Sequence, residues 1–500
     1  MTEAAAPSPA ATATSESDKR SREQVDKRLA QSAAVSHARI ALGGQLMDYT
    51  VNAAYVPVVA SGFSGATVEP EAAIFTTAYL CKPVAGSPRP VCFAFNGGPG
   101  SASIWLQFGA LGPKHVPMPE DGSQPYAPFR VVDNPVSWFE HFDMVFIDPP
   151  HTGWSIAASA AARKKMLSVD GDVDALAESM RVWLTRHKRW GSPVYLAGES
   201  YGTTRGAALA DKLQTLGVSL SGVILISCAM DLQSLVFAPR NDLPYALFLP
   251  GFANAAQYHG LLKGAVGASP QAAREAAEAF VVDDYVAALH AGARLDAKRQ
   301  ARIAQRIAEL TGLPRALVEQ RNLRIDDTTF FFEALRPQGR IVGRLESRVT
   351  GPMAAQRTRE WEFDPGIEAI AAPYTMAALA YYGETLGLQS ETRYEVLSDD
   401  VHREWHWNRG EDKGNAFACT SPDLSRAMRR NPHLKVFVAS GRYDLGTPYS
   451  ASDWSVAQLD IDSDVRQRLQ HHYYDAGHMM YTREADLLKL KNDVAAWLAE

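Results

Sequence analysis

Short, largely apolar runs recur along the chain at residues 91–95, 144–147, 194–197, 222–226 and 434–439. Runs of that length with no alternating polar positions read as strands covered on both faces, the pattern of a parallel sheet. Between the second and third, Val173, Leu176, Met180, Trp183 and His187 recur at helical spacing. They follow Asp170 and Asp172 and stop before Gly191, which predicts a crossover helix. Upstream, β-branched and aromatic residues from about Ala38 to Leu80, broken at Gly43-Gly44 and between Gly62 and Gly65, predict antiparallel strands leading into the sheet. From about Asp231 to Ser421 the strand–helix rhythm stops, and Ala- and Arg-rich stretches at 271–287 and 297–310 predict helices.

Two glycine-rich loops follow two of these strands. The first reads Asn96-Gly97-Gly98-Pro99-Gly100, and the second reads Gly198-Glu199-Ser200-Tyr201-Gly202 and opens a helical stretch. A Gly-x-Ser-x-Gly after a strand marks a nucleophile elbow, a turn tight enough to demand Gly on both sides of the Ser. The first loop supplies backbone N–H groups that can be aimed at a developing oxyanion. An ordinary glycine-rich turn would explain Ser200 standing alone. The loop before it, with acid and base candidates after it in the chain order of an α/β-hydrolase, points to serine acyl transfer.

Those candidates are strand-then-loop residues too. The run 434–439 leads into Ser440-Gly441-Arg442-Tyr443-Asp444, and 469–474 leads into Asp475-Ala476-Gly477-His478. Ser200, Asp444 and His478 would then form a triad: nucleophile, orienting acid and general base. His471 and His472 are competing bases, but they sit on the strand itself. Asp475 competes with Asp444 from the same loop as His478. His402 and His406 have the i,i+4 spacing of a helical metal pair without an evident third ligand. Trp405 and Trp407 beside them could line a pocket or simply pack.

These motifs resemble the serine carboxypeptidases of the S10 type, an α/β-hydrolase branch. The matching stretches are Phe95 to Gly100, Asn134-Pro135-Val136-Ser137-Trp138, Phe146-Ile147-Asp148-Pro149, Gly198 to Gly202, the Asp444 loop and Gly477-His478-Met479. The resemblance implies that Gly98 and Tyr201 donate the oxyanion N–H groups. It also implies that Asn96 and Glu199 bind the C-terminal carboxylate of a peptide, which makes such an enzyme an exopeptidase. A Glu beside a substrate carboxylate is tolerated when the pair shares a proton. Plain structural roles remain open for both residues, Asn96 as a turn residue and Glu199 held by local hydrogen bonds. The chain also departs from the family. Ser101, Ala102 and Ser103, and Leu445, Gly446 and Thr447, stand where secreted members carry disulfide cysteines, and Ala110 stands where a second carboxylate-binding Glu is expected.

Composition narrows the reading further. Five hundred residues at 46% hydrophobic content are ample for one large α/β core with an insertion. A net charge of −6 gives no electrostatic reason to expect nucleic acid or an anionic membrane as partner. Cys81, Cys92, Cys228 and Cys419 are too few for a disulfide framework, although a bridge between Cys81 and Cys92 is one option. The start of the chain, rich in Ala, Ser and Thr, has no apolar h-region and no stretch has the length of a membrane span. A cytoplasmic location is therefore the expectation, with periplasmic or secreted forms left open.

The expected organisation is a disordered tail over 1–35, a first core part over 36–230, a helical cap over 231–425 and a second core part over 426–500. The expected fold is α/β, an α/β-hydrolase with a mostly parallel sheet and a cap insertion. The expected function is a serine carboxypeptidase acting through an acyl-enzyme, with peptide as substrate and no metal or organic cofactor. An esterase, amidase or acyltransferase using the same triad is the alternative, kept open by Ala110. A catalytically dead binding protein on this fold is disfavoured, since binding alone needs no triad together with an oxyanion loop. Oligomeric state and side-chain preference are not legible.

Overall fold

In the computed structural model, residues 15–59, 69–82, 88–388, 390–410 and 417–500 are described. The expected break between Gly62 and Gly65 lies outside them. The apolar runs form the strands predicted from them. The main sheet contains β1 (Ala34–Leu42), β2 (Gln45–Val59), β3 (Pro70–Cys81), β4 (Val91–Phe95), β5 (Asp143–Ile147), β6 (Val194–Glu199), β7 (Leu220–Ile226), β8 (Lys435–Gly441) and β9 (Leu469–Tyr474). Their spatial order is β1-β2-β3-β5-β4-β6-β7-β8-β9, with the short strand Ile156–Ala157 beside β3. From β5 onward every pairing is parallel, while β1, β2, β3 and β5 pair antiparallel. This is the mostly parallel sheet of an α/β-hydrolase.

Strand pleating divides the apolar runs between two cores. Cys92, Ala94, Ile224, Ile226, Phe437 and Ala439 face one side with Trp105, Phe108 and Trp497. Their neighbours Val91, Phe93, Phe95, Val223, Leu225, Val436 and Val438 face the other, against Leu176, Met180, Trp183 and Leu209. The latter come from two helices, α2 (Val169–Arg186) and α3 (Tyr201–Thr215). Helix α2 is the predicted crossover, capped by Ser168 through a hydrogen bond to the Gly171 N–H. All four cysteines are free, so the Cys81 to Cys92 bridge is not formed.

The expected disordered tail needs correction. Residues Glu16–Leu29 form helix α1, capped by Ser15, and Val25 is buried against Ala73 and Ala158. Arg28 donates to the Trp154 carbonyl at 2.9 Å. Few apolar residues make this contact amid many charges, so no amphipathic pattern shows in the sequence. The rest of the expected tail, residues 1–14, lies outside the described residues, and β1 already begins at Ala34.

Between β7 and β8 the chain builds a third apolar core. Helices α4 (Leu243–Tyr258), α5 (Pro270–Phe280) and α6 (Ala297–Thr311) bring together Phe252, Ala277, Ile303 and Ile307, and Leu445 joins them from the sheet side. A later helix, α7 (Pro365–Ala380), does not belong to that core. Its Tyr374, with Tyr381 and Tyr382 just beyond, packs on Trp105, Phe108 and Phe75 of the sheet core. No helix among the described residues is long and apolar enough to cross a membrane.

One buried ion pair ties the helices to the loop after β4. The Arg205 Nε of α3 meets Asp172 Oδ2 of α2 at 2.5 Å, with both side chains 1% exposed. The same guanidinium donates to the Asn96 carbonyl at 2.5 Å and stacks over the Tyr201 ring. Removing one partner strands a buried charge, so Asp172→Asn should cost about 3–5 kcal/mol in urea unfolding. Replacing both with apolar residues, Asp172→Leu with Arg205→Met, should cost less. A single variant no less stable than the double would contradict this role.

Candidate active site

Parallel strands put their carboxyl ends on one edge, and the loops carrying all the candidate residues leave from that edge. Phe95 pairs with Gly198 in register, and Glu199 with Ile226, so Asn96 and Ser200 emerge side by side. Gly441 pairs with Tyr474, which places the Asp444 and His478 loops together two strands further on.

The elbow at Ser200 is as tight as the motif suggests. Ser200 has φ 61° and ψ −130°, a conformation costly for a residue with a side chain, and its N–H is held by the Ile226 carbonyl at 2.9 Å. A Cβ on Gly198 would lie 2.2 Å from the Gly202 carbonyl oxygen, and one on Gly202 would lie 2.7 Å from that of Phe95. Glycine is thus required by contact on both sides. Likewise a Cβ on Gly97 would lie 2.4 Å from the Tyr201 nitrogen, so the loop after β4 lies directly against the start of α3. Tyr201 is the first residue of that helix, and its N–H is one of the donors that no helical carbonyl can satisfy. Gly97 is therefore packed against the Tyr201 N–H next to Ser200, and Gly98 lines the same cavity as Ser200.

Asp444 and His478 are joined. His478 Nδ1 lies 2.7 Å from Asp444 Oδ2, with the two side chains 5% and 0% exposed. The Gly446 and Thr447 N–H groups donate to Asp444 Oδ1 at 2.7 and 3.0 Å, and the Thr447 hydroxyl donates to Oδ2 at 2.7 Å. Burial pushes the Asp444 carboxyl up, but the charge and hydrogen bond of His478, with the Thr447 bonds, outweigh it and hold the acid below its ordinary range. Burial pushes His478 down, and Asp444 and then Glu199 more than reverse this, leaving the imidazole raised. The pair favours the imidazolium, the form a base becomes when it takes a proton.

Asn96 and Glu199 also meet. Asn96 Nδ2 donates to Glu199 Oε1 at 2.7 Å, and Asn96 Oδ1 accepts from the Leu106 N–H at 3.0 Å. Glu199 is 1% exposed, and its Oε2 has no hydrogen-bond partner among the described residues. Burial raises its carboxyl to about 7 against the opposing pull of His478, the Tyr481 hydroxyl and Asn96.

Ser200, His478, Asn96, Glu199 and Gly98 line one cavity of 540 Å³. Arg344, Leu345, Trp361, Asp364, Ile367, Leu397, Asp399 and His402 complete its wall from the region between β7 and β8. The competing residues are engaged elsewhere. His471 contacts Ser440 and Asp453, His472 contacts Gln470 and Asp493, and Asp475 pairs with Arg442. Trp405 and Trp407 pack edge-on against Tyr201 rather than lining the cavity. His402 reaches the cavity wall, and no group of three metal-ligating side chains occurs among the described residues. Ala110 is fully buried and does not line the cavity.

Several positioning contacts had no signal in the sequence. The His478 N–H donates to the Leu345 carbonyl at 2.7 Å, and the Ser227 hydroxyl donates to the His478 carbonyl at 2.6 Å. Glu346 Oε2 accepts from the Gly477 N–H at 2.8 Å, and the Leu445 N–H donates to the Arg344 carbonyl at 3.0 Å. The strand-to-loop rule finds a triad member on its own strand. It cannot find a segment a hundred residues away that fixes two such loops at once.

Known proteins resemble the chain in part of its sequence and in its fold. Residues 60–230 match the family model described as serine carboxypeptidase. Serine carboxypeptidase-like 36 of Arabidopsis thaliana is 32% identical over 151 residues, a match covering 28% of each chain. The matched stretch thus spans little more than a quarter of that relative's length. Among solved structures, the Saccharomyces cerevisiae prohormone-processing carboxypeptidase Kex1 superimposes with a TM-score of 0.55 at 13% identity, covering 90% of this chain and 91% of that one. At that identity the likeness is one of fold.

The Glu199 carboxyl predicts a pH dependence of stability. It is raised from an ordinary 4.5 to about 7, so between those values the native state keeps a proton that the unfolded state has lost. Its contribution is fully present below pH 4.5 and is lost as pH rises through 7. Glu199→Gln removes that loss. The variant should therefore gain stability relative to wild type between pH 4.5 and 8, on the order of 3 kcal/mol. Urea unfolding at both pH values measures this, and a difference independent of pH would contradict a protonated buried Glu199.

Proposed function

We propose that this chain, whose residues 60–230 match the serine carboxypeptidase family model, is a serine carboxypeptidase that releases C-terminal residues from peptides through an acyl-enzyme. The observation that carries the proposal is the joint placement of Ser200, His478, Asn96 and Glu199 around one cavity, with Asp444 behind His478. In this reading Ser200 Oγ attacks the scissile carbonyl while His478 takes its proton. Gly98 and Tyr201 N–H groups hold the oxyanion, and His478 returns the proton to the departing amine. Water then repeats the sequence on the ester and regenerates Ser200.

The exopeptidase part rests on Asn96 and Glu199. Asn96 has one amide N–H committed to Glu199, and in this reading its second N–H donates to the terminal carboxylate. A protonated Glu199 offers an O–H to the same group, whereas an ionised one repels it. Ester or amide hydrolysis is the second reading, favoured by Ala110, which leaves the clamp with one Glu instead of two.

Two outcomes are expected. Ser200→Ala should abolish labelling by a serine-directed phosphonate and lower turnover by about 10⁴-fold or more, since triad members act as a unit. Labelling that persisted at another residue would remove Ser200 from the chemistry. For peptides with a free carboxylate, KM should rise as pH passes through about 7, following Glu199. Esterified peptides should show no such rise, and Glu199→Gln should flatten it. Identical KM profiles for wild type and Glu199→Gln on a free peptide would move ester or amide hydrolysis to first place.

A further inference from the structure

Arg344 stands out in the wall of the reactive cavity. It is exposed, and its guanidinium makes no ion pair or side-chain hydrogen bond among the described residues. Its backbone, in contrast, is pinned. The Arg344 N–H donates to Asp364 Oδ1 at 3.0 Å, and its carbonyl accepts from Leu445. The next residue, Leu345, holds the His478 N–H. The side chain is thus rooted one residue from the contact that fixes the base.

The acids nearest it are Asp364 and Asp327, both within reach of its charge, with Asp399 on the same cavity wall, and none of the three makes an ion pair with it among the described residues. Asp364 lines the same wall, but its carboxylate is occupied by the N–H groups of Arg344, Leu345 and Gly366. The guanidinium carbon lies 3.5 Å from where a Cβ on Gly446 would sit, which places it beside the Asp444 loop. In strand order, that loop follows β8, while Asn96 follows β4, and Ser200 follows β6 between them. Arg344 and Asn96 therefore flank the nucleophile from opposite sides.

We infer that Arg344 forms a second anion-binding subsite, which selects peptides carrying an acidic side chain next to the scissile bond. An arginine fork matches a carboxylate with two parallel hydrogen bonds and keeps its charge at every working pH. The low polarity of the walls at Trp105, Trp361 and Ile367 strengthens the attraction. The inference rests on Ser200 being the nucleophile of a peptide hydrolase. The terminal carboxylate would stay with Asn96 and Glu199, and the added selectivity would come from the residue on the other side of the cleaved bond.

The test compares two N-blocked dipeptides with a common C-terminal leucine, one carrying Glu and one Gln at the penultimate position. Wild type should bind the Glu peptide more tightly by about tenfold, the worth of one charge-assisted pair. Arg344→Gln should bring the ratio of the two KM values close to one, and Arg344→Lys should restore part of it. A wild type with no preference, or a ratio unchanged in Arg344→Gln, overturns the subsite. So does an Arg344→Gln enzyme that loses instead its preference for free over amidated C-termini, since Arg344 would then belong to the terminal clamp. If neither dipeptide is cleaved, the carboxypeptidase reading fails by itself. The same ratios are then read from protection of Ser200 against phosphonate labelling, so the subsite still stands or falls on its own result.

Discussion

The arrangement depends on a charge buried where two helices and a loop meet. Arg205 is the only connection of its kind between α2, α3 and the backbone at Asn96 among the described residues, and it makes that connection without access to water. A buried guanidinium is costly unless its donors are all directed at acceptors. Here the acceptors are Asp172 and two carbonyls of the glycine loop, so the loop is held where the charge needs it. The loop then lies against the Tyr201 nitrogen, and the start of α3 cannot shift without dragging the loop with it. Helix and loop supply the two backbone donors of the proposed oxyanion site, so one ion pair fixes their spacing.

The other half of the site is fixed from outside the sheet. The Asp444 and His478 loops leave neighbouring strands, yet their mutual position is set by residues 344–347, which belong to the long excursion between β7 and β8. Each of the four residues is used. Arg344 takes the Leu445 N–H, Leu345 that of His478, Glu346 that of Gly477, and Ser347 donates to Tyr443. The excursion thus performs two tasks, bounding the cavity and aligning acid with base. A change in its packing would reach the chemistry through these four contacts.

Much of this was legible in the sequence because it is local. A short run of apolar residues without alternation, bounded by turn residues, reads as a strand covered on both faces, and the loop after such a strand leaves the carboxyl edge of the sheet. That reasoning found Asn96, Ser200 and Asp444, and His478 came from the loop after the more polar run 469–474. It set aside His471 and His472, which lie within a strand, and the structure gives both other partners. What it missed is non-local. Nothing near Leu345 or Ser227 distinguishes a carbonyl or hydroxyl that grips His478, and Asp364 resembles any helix-capping Asp until its three N–H donors are seen together. Helix α1 was missed for a different reason. Its charged residues outnumber the few apolar contacts that dock it, so composition pointed away from order.

The central claim is that a serine nucleophile and a carboxylate-binding pair act on the same chain end. Mass analysis of the products from a peptide of about ten residues, supplied with a free and with an amidated C-terminus, tests it most directly. The account predicts stepwise loss of single residues from the free C-terminus near pH 6, with the amidated peptide processed far more slowly. Internal fragments, or equal processing of the two peptides, would contradict it.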